Sequence, residues 1–226
     1  MSDRRRGRLR FSYGIMGSGK STVALQVHHN LSRRGLVGVL CTLFDRDGTV
    51  VSSRLGVSRQ AMEVSPSVDL LEMARQTRQA EGCLDFLVCD EVQFYLEEQV
   101  DQLALVADEL GADVFAYGLL TDFRGRLFDG TRRMLELADE HVQLGVEARC
   151  WCGAKATHNA RLVNGVLARE GETIVIGDTT PAAGQPLFGE TVTYELLCRA
   201  HHREGATGPT PRSGGRGPST DPIDRP

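Results

Sequence analysis

The feature that most constrains this fold is a glycine-rich stretch at residues 14–22, near the start of the 226-residue chain. It follows a short apolar run and precedes a helical pattern at residues 23–31, so a strand, a glycine loop and a helix follow one another. The stretch has the spacing G-x-x-x-x-G-K-[ST], in which backbone N–H groups wrap a polyphosphate because glycine lets the anion approach closely. The following helix turns its positive dipole end toward the same anion. The sequence therefore predicts a phosphate-binding loop.

Two side chains of this loop carry specific chemistry. Lys20 is placed to reach the β- and γ-phosphates of a nucleotide, and the Ser21 hydroxyl is placed to take one coordination position of Mg²⁺. A second apolar run, residues 84–89, leads directly into Asp90 and Glu91. A carboxylate at the carboxyl end of a buried parallel strand beside such a loop suits a Mg²⁺–nucleotide site, so we expect Asp90 to hold the metal. The nucleotide-binding residues predicted from the two stretches are Gly14, Met16, Gly17, Ser18, Gly19, Lys20, Ser21, Thr22 and Asp90.

Strand-like and helical patterns alternate as far as residue 148, which predicts an α/β fold with a parallel sheet. The further strands are predicted over residues 36–42, 112–117 and 141–144, and the helices over residues 69–80, 97–110 and 131–139. The polar stretch at residues 45–59 is predicted to be a loop.

The composition narrows the class of protein. The net charge of −4 and the pI near 5.9 argue against an obligate nucleic-acid or anionic-membrane binder. No apolar run approaches the length of a membrane span, and the Arg-rich start lacks the apolar core and cleavage site of a secretory signal, so a cytoplasmic enzyme is predicted. Residues 1–8 are predicted to be a disordered basic leader, and residues 204–226, rich in Gly, Pro and Ser, a disordered tail.

The six cysteines predict metal binding or buried thiols rather than disulfides in such a protein. Cys150 and Cys152 form one pair, and Cys198 with His201 forms another, which together match a tetrahedral Cys₃His zinc site. The Cys-x-Cys spacing is less typical, so unrelated buried cysteines are the alternative, and the neighbouring His202 is an alternative fourth ligand. The other three cysteines lie in or beside apolar runs and are predicted to be core residues: Cys41, Cys83 and Cys89.

Between the two Cys/His pairs, the chain predicts a small β structure. Asn164-Gly165 separates two strand-like runs, residues 160–163 and 166–169, and this is the signature of a hairpin with a type I′ turn. Residues 173–176 and 191–197 are predicted to form two further strands.

The combined motifs resemble the type II thymidine kinases, the family that includes the cytosolic human enzyme and most bacterial ones. The resemblance extends over residues 9–202 and is carried by four stretches: the glycine loop, Asp90-Glu91-Val92-Gln93-Phe94, residues 117–128 and the two Cys/His pairs. It implies a RecA-like P-loop core over residues 9–148. It also implies a small C-terminal zinc-binding β subdomain, with a lasso loop over the nucleoside, at residues 149–203.

The resemblance also implies a reaction. The γ-phosphate of ATP passes to the 5′-hydroxyl of thymidine and gives dTMP for DNA synthesis, with Glu91 as general base and with Lys20 and Mg²⁺ neutralising the phosphoryl oxygens. Gln93 is implied as a further nucleotide-binding residue. The residues that match the nucleoside pocket of the family are Met16, Phe94, Leu119, Phe123, Phe128 and Tyr194. Core packing is the alternative for Leu119 and Phe128. A homotetramer with dTTP as feedback inhibitor is implied as well.

The sequence leaves the substrate range and the class of activity open. Many family members have Gly-Gly where this chain has Gly177-Asp178, and a Pro/Gly-rich insertion at residues 179–189 lengthens the lasso, so the base contacts are undetermined. Another nucleoside kinase on the same core is one alternative. A P-loop ATPase that binds nucleic acid through its zinc ribbon is another, although residues 150–201 lack a dense basic patch with interleaved aromatic residues. A non-catalytic zinc-stapled binding module fits least well with the loop and its carboxylates.

Overall fold

A computed structural model of the chain describes residues 6–43, 50–52, 58–145, 147–173 and 191–209. Eleven strands and five α-helices lie within these residues. The strands are β1 (Leu9–Gly14), β2 (Gly38–Thr42), β3 (Val50–Ser52), β4 (Ser58–Gln60), β5 (Met62–Glu63), β6 (Phe86–Cys89), β7 (Asp113–Leu119), β8 (Glu140–Gln143), β9 (His158–Val163), β10 (Val166–Leu167) and β11 (Val192–Leu197). The helices are α1 (Lys20–Ser32), α2 (Leu70–Glu81), α3 (Glu97–Leu105), α4 (Asp129–Leu137) and α5 (Arg199–Glu204).

The larger sheet has six strands in the order β5-β2-β6-β7-β1-β8, and every pairing in it is parallel. All four residues of β6 are buried, which is typical of a strand covered by helices on both faces. The carboxyl ends of β1, β6 and β7 therefore lie side by side at one edge of the sheet. The predicted α/β core with a parallel sheet is confirmed.

The smaller sheet has three strands in the order β10-β9-β11, with antiparallel pairing. Its hairpin turn has positive φ at both central residues, 51° at Asn164 and 79° at Gly165, as a type I′ turn requires. The predicted hairpin is confirmed, and so is the strand predicted over residues 191–197, as β11. Only the first residue of the strand predicted over residues 173–176 lies among the described residues.

Several boundaries differ from the sequence prediction. The helix predicted over residues 97–110 is α-helical only to Leu105 and continues as a π-helical turn, Val106–Leu110, which ends at Gly111 with φ 69°. The polar stretch at residues 45–59, predicted to be a loop, contributes the antiparallel pair β3–β4 in its described part. These short strands are not predicted from the sequence because they lack the apolar alternation that marks a half-buried strand.

One of the three predicted core cysteines is misplaced. Cys41 and Cys89 are fully buried and lie opposite each other on β2 and β6, as expected of core residues. Cys83 is exposed, because it lies in the connection between α2 and β6 rather than in the strand itself. The prediction that Cys83 is a core residue is therefore wrong.

The two ends of the described chain are more structured than the predicted leader and tail. The Gly7 N–H donates to the Ala107 carbonyl oxygen at 2.9 Å, and the Arg8 N–H donates to Asp113 Oδ1 at 3.0 Å. Glu204, predicted to begin the tail, is the last residue of α5. Residues 1–5 and 210–226, the Gly177-Asp178 pair and the insertion at residues 179–189 lie outside the described residues. Within the described part of the chain, no helix is both long enough and apolar enough to cross a membrane.

Candidate active site

The glycine loop joins β1 to α1 at the carboxyl edge of the larger sheet. Gly17 and Gly19 have φ values of 73° and 79°, in the left-handed region that glycine adopts without a steric penalty. A Cβ on Gly14 would overlap the Ser18 hydroxyl, so the first glycine is needed for close packing inside the loop. Helix α1 begins at Lys20, and its free N–H groups therefore face the space that the loop encloses.

The polar side chains of the loop turn inward. Lys20 is 7% exposed, and its ammonium donates to the Ile15 carbonyl oxygen at 2.9 Å. Ser18 is 2% exposed, and its hydroxyl has no hydrogen-bond partner among the described residues. A buried hydroxyl without a partner is unfavourable unless a ligand satisfies it. A buried ammonium and an unsatisfied hydroxyl therefore suit an anionic group held within this loop.

Asp90 follows β6 and is 2% exposed, and its backbone N–H donates to the Cys41 carbonyl oxygen at 2.8 Å. Burial, reinforced by the negative charge of Glu91, raises the pKa of Asp90 to about 7. Hydrogen bonds from the Ser21 side chain and the Glu91 N–H, together with the Lys20 charge, act in the opposite direction. The structure thus brings Ser21, Asp90 and Lys20 together, as the sequence predicts. A buried carboxylate beside a hydroxyl is an oxygen donor set that fits Mg²⁺.

Glu91 has a different environment from its neighbour. Its φ of 56° lies in the left-handed region, which separates its half-buried side chain from the buried Asp90 carboxylate. The Gln93 side-chain N–H donates to Glu91 Oε2, and Gln93 Oε1 accepts the Leu119 N–H at 2.9 Å. Gln93 therefore holds the Glu91 carboxylate against the end of β7. The predicted contact of Gln93 with nucleotide stays a prediction.

The residue after Gln93 and the loop after β7 contribute aromatic side chains to the same edge. The Phe94 and Phe128 rings meet edge to face, with centroids 5.3 Å apart. Asp122 organises the loop itself, because its Oδ1 accepts the N–H groups of Arg124 and Arg126 at 2.9 Å each. Phe128 is 9% exposed, so core packing and a role in a pocket are both compatible with its position.

The smaller sheet meets this loop through Arg161, which lies on β9. Its guanidinium carbon lies 3.7 Å from the centroid of the Phe123 ring, and its Nε–H donates to the Tyr194 hydroxyl at 3.2 Å. Arg161 is only 3% exposed and forms no salt bridge with a described residue. Phe123 and Tyr194, two of the predicted nucleoside-pocket residues, thereby contact the same cationic side chain.

Asn159, also on β9, reaches the glycine loop. Its Oδ1 accepts the Met16 N–H at 2.8 Å, and the residue is 3% exposed. Asn159, Arg161 and Asp122 are not among the site residues predicted from the sequence. A signal was present for the first two, since polar residues spaced by two along a strand lie on one face and need polar partners there when that face is buried.

The C-terminal Cys/His pairs come together. The ligand atoms of Cys150, Cys152, Cys198 and His201 all lie within 4.8 Å of one another, and Cys150 Sγ is 3.3 Å from His201 Nδ1. This is a donor set for tetrahedral zinc, and the cluster predicted from the sequence is confirmed as a group of neighbouring side chains.

The electrostatics of the cluster favour a metal ligand at Cys150. Burial raises the pKa of Cys150, but hydrogen bonds from the N–H groups of Cys152 and Cys198 and from the His201 ring outweigh it and lower the pKa to about 6. The thiolate is the form that binds metal. His202 points elsewhere, since its Nε2 lies 2.8 Å from the Phe123 carbonyl oxygen and its ring stacks on His158. Of the two histidines, His201 is the one grouped with the cysteines.

A phosphate loop after the first strand, an Asp-Glu pair after β6 of the same parallel sheet and a C-terminal Cys/His cluster define a P-loop nucleotide-binding protein with a candidate metal site in its C-terminal part. The family model described as thymidine kinase matches residues 7–202. The thymidine kinase of Streptomyces avermitilis is 47% identical over 94% of this chain and 96% of its own length. That of Streptomyces coelicolor is 45% identical over the same shares, and that of Enterobacteria phage T4 is 36% identical over 86% and 94%. The chain therefore belongs to the thymidine kinase family, whose members are ATP-dependent phosphotransferases.

Proposed function

We propose that this chain transfers the γ-phosphate of ATP to the 5′-hydroxyl of thymidine, giving dTMP and ADP. The observation that carries the proposal is the Glu91 carboxylate, which Gln93 holds at the sheet edge next to the buried Asp90 and the phosphate loop. A carboxylate in that place is within the region where a hydroxyl must lie to attack a bound γ-phosphate. The names of the relatives support thymidine as the acceptor.

The phosphate loop and Asp90 bind the nucleotide. The N–H groups at the start of α1 and the Ser18 hydroxyl donate hydrogen bonds to the polyphosphate, and Lys20 exchanges its contact with the Ile15 carbonyl oxygen for phosphate oxygens. Ser21 and Asp90 would hold Mg²⁺, which would supply positive charge to offset the negative charge that develops on the transferred phosphoryl group. The ionised form of Asp90 is then the competent one, and the positive charge of Lys20 favours it.

Glu91 acts as the general base. Its carboxylate accepts the proton of the 5′-hydroxyl as the oxygen attacks phosphorus, while Gln93 fixes the carboxylate in orientation by donating to Oε2. Gln93 is itself fixed, because its carbonyl oxygen accepts the Leu119 N–H of β7. Gln93 therefore anchors both the general base and the last residue of β7, where the nucleoside loop begins.

The nucleoside lies, in this proposal, between the loop after β7 and the smaller sheet. The flat aromatic and apolar side chains in this region suit a pyrimidine base. The proposed contacts are Met16, Leu119, Phe94, Phe123, Phe128 and Tyr194. Arg161 holds Phe123 and Tyr194 in place and adds a positive charge near the site.

Membership of the family and the Cys/His cluster support several further proposals. We assign a structural Zn²⁺ to Cys150, Cys152, Cys198 and His201. We further propose a P-loop core over residues 9–148 followed by a zinc and lasso unit over residues 149–203, a homotetrameric assembly, feedback inhibition by dTTP and action in the cytoplasm. No nucleic-acid partner is part of the proposal.

The test is an ADP-release assay with Mg-ATP and thymidine, deoxyuridine, deoxycytidine or no nucleoside. We expect release that depends on thymidine, with deoxyuridine second and deoxycytidine inactive. Lys20→Ala, purified in parallel, controls for contaminating kinases and should be inactive. Release that is independent of nucleoside but stimulated by DNA or RNA would overturn the proposal in favour of a nucleic-acid-dependent ATPase.

A further inference from the structure

A hydrogen bond joins the smaller sheet to the phosphate loop. Asn159 Oδ1 accepts the Met16 N–H at 2.8 Å, across 143 residues of sequence, and Asn159 is 3% exposed. A backbone N–H held by a buried side-chain oxygen on a strand has little freedom to reorient. The orientation of the Met16 N–H is therefore set by the smaller sheet.

The same peptide group also positions the catalytic lysine. The Ile15 carbonyl and the Met16 N–H belong to one planar unit, so fixing the N–H fixes the direction of the carbonyl. That carbonyl oxygen accepts the Lys20 ammonium at 2.9 Å and the Ser18 N–H at 3.2 Å. Asn159 thus fixes the N–H of this peptide group. The carbonyl oxygen of the same group holds Lys20 and the Ser18 N–H of the loop.

The opposite face of β9 packs on the Cys/His cluster. Ala160, next to Asn159, forms a small core with Cys150 and Leu197, and Cys198 packs against it. The pairing of β9 with β11 places Asn159 opposite Leu196 and His158 opposite Leu197, one residue before the ligand Cys198. The strand that carries Asn159 is therefore held in place by the residues that would bind the metal.

We infer that Asn159 is a positioning residue through which metal occupancy of the Cys/His cluster controls the affinity of the phosphate loop for nucleotide. The inference rests on the proposed function in one respect, namely that this loop binds ATP. It goes beyond that function because it gives the metal cluster a role in the ATP site rather than in the stability of its own sheet alone.

The first test is Asn159→Leu, which keeps the approximate volume and removes the acceptor oxygen. A Met16 N–H left without a partner in a partly buried position is expected to weaken binding of a non-hydrolysable ATP analogue by about tenfold. The KM for ATP should rise by a similar factor, with a smaller change in the KM for thymidine. Asn164→Gly is the matched control, since it removes the acceptor of the Thr191 N–H from the same sheet at a position that tolerates positive φ. It should bind nucleotide as the wild type does.

The second test compares the wild type and Asn159→Leu, each before and after metal removal. The metal is removed with a zinc-selective phenanthroline chelator, and the protein is then dialysed into Mg²⁺. Metal removal should weaken binding of the analogue by about tenfold in the wild type and by less than about twofold in Asn159→Leu, because the contact that transmits the effect is already absent. Equal losses in both proteins, or wild-type affinity of the Asn159→Leu variant, would overturn the inference.

Two further measurements keep the test decisive. Circular dichroism and zinc content show whether Asn159→Leu is folded, and Asn159→Ser, whose hydroxyl stops short of the Met16 N–H, replaces it if the larger side chain disrupts packing. Nucleotide affinity is measured without nucleoside. A protein that binds nucleotide but does not phosphorylate thymidine would contradict the proposed function while leaving this inference intact.

Discussion

At the scale of single residues, the adjacent carboxylates Asp90 and Glu91 differ because the backbone changes direction between them. Asp90 continues the line of β6 into a buried position, whereas Glu91 takes a left-handed conformation with φ 56°. For a residue with a Cβ this conformation is unfavourable by about 1–3 kcal/mol, and it persists where the surroundings determine it. Here the Gln93 side-chain amide holds Glu91 in this conformation by donating a hydrogen bond to its carboxylate. The strain is consistent with a carboxylate placed for chemistry.

We expect Glu91→Gln to lower kcat by at least about a hundredfold, the usual contribution of a positioned general base. Nucleotide affinity should stay near the wild-type value, because Glu91 is not part of the phosphate loop. Steady-state kinetics and titration with a non-hydrolysable ATP analogue measure the two quantities. Glu98→Gln, the same change at an exposed position in the first turn of α3, is the control. Near wild-type turnover of Glu91→Gln would remove Glu91 from the mechanism.

The raised pKa of Asp90 predicts a pH dependence of stability in the protein without nucleotide and Mg²⁺. Because the folded-state pKa of about 7 lies above the ordinary value of 3.8, the folded state binds this proton more tightly than the unfolded state. The stabilisation is complete below the ordinary pKa and is lost as the pH rises toward the folded-state pKa of Asp90. Asp90→Asn should remove this loss, so the variant gains stability relative to the wild type across that range.

Thermal unfolding at a series of pH values measures this difference. Asp108→Asn, at an exposed site in the π-helical turn, is the control and should follow the wild-type profile. Parallel pH profiles for wild type and Asp90→Asn would show that Asp90 does not carry the predicted change.

At the scale of elements, the sequence predicted most of what local chemistry determines. The phosphate loop, the helix predicted over residues 69–80 and the hairpin turn all follow from residue types at fixed spacing, and in the structure Asp69 and Gly82 cap that helix. The π-helical end of α3 was missed because apolar spacing is nearly the same in both helix types over one turn. Residues such as Asn159 and Arg161 were missed for another reason: their partners, Met16 and Phe123, are far away in sequence.

The packing of α4 on the turn after Glu91 gives a prediction at this scale. A Cβ on Gly130 would overlap the Val92 carbonyl oxygen and lie 2.8 Å from the Tyr95 carbonyl oxygen, and both are backbone atoms that yield little. Gly130→Ala should therefore push α4 away from the turn and destabilise the protein by about 1–3 kcal/mol. The shift also moves Phe128 relative to Phe94, so the KM for thymidine should rise.

Chemical denaturation and steady-state kinetics test this prediction. Gly145→Ala is the control, because a Cβ there meets no described atom within 4 Å. If Gly130→Ala were as stable as the Gly145→Ala variant, the close approach of α4 to the turn would not be a constraint on the fold.

At the scale of the whole molecule, two sheets contribute to one site. The phosphate loop and the carboxylates come from the parallel sheet, and Asn159, Arg161 and Tyr194 come from the antiparallel one. The His202 ring adds a further link at the Phe123 carbonyl oxygen. These contacts are mostly polar and buried, so they are favourable only when both sheets keep their geometry. The Cys/His cluster packs against the strand that carries Asn159 and Arg161, so its geometry bears on both halves of the candidate site.

We expect Cys198→Ser to reduce bound zinc from about one ion per chain to nearly none and to lower the melting temperature, because structural zinc contributes folding free energy directly. Metal analysis and thermal unfolding provide the two readouts. Cys83→Ser makes the same substitution at an exposed cysteine outside the cluster and should change neither. Undiminished zinc in Cys198→Ser would place the metal elsewhere.

The hydrogen bond between Met16 and Asn159 also has a consequence for synthesis of the chain. Contacts between distant residues form late, since the intervening chain must first be made and its loop closed. The ribosome completes residue 16 long before residue 159, so a nascent chain contains the entire glycine motif well before it contains the asparagine that orders it. Throughout most of translation the growing polypeptide carries the phosphate loop in a form that lacks its final anchor.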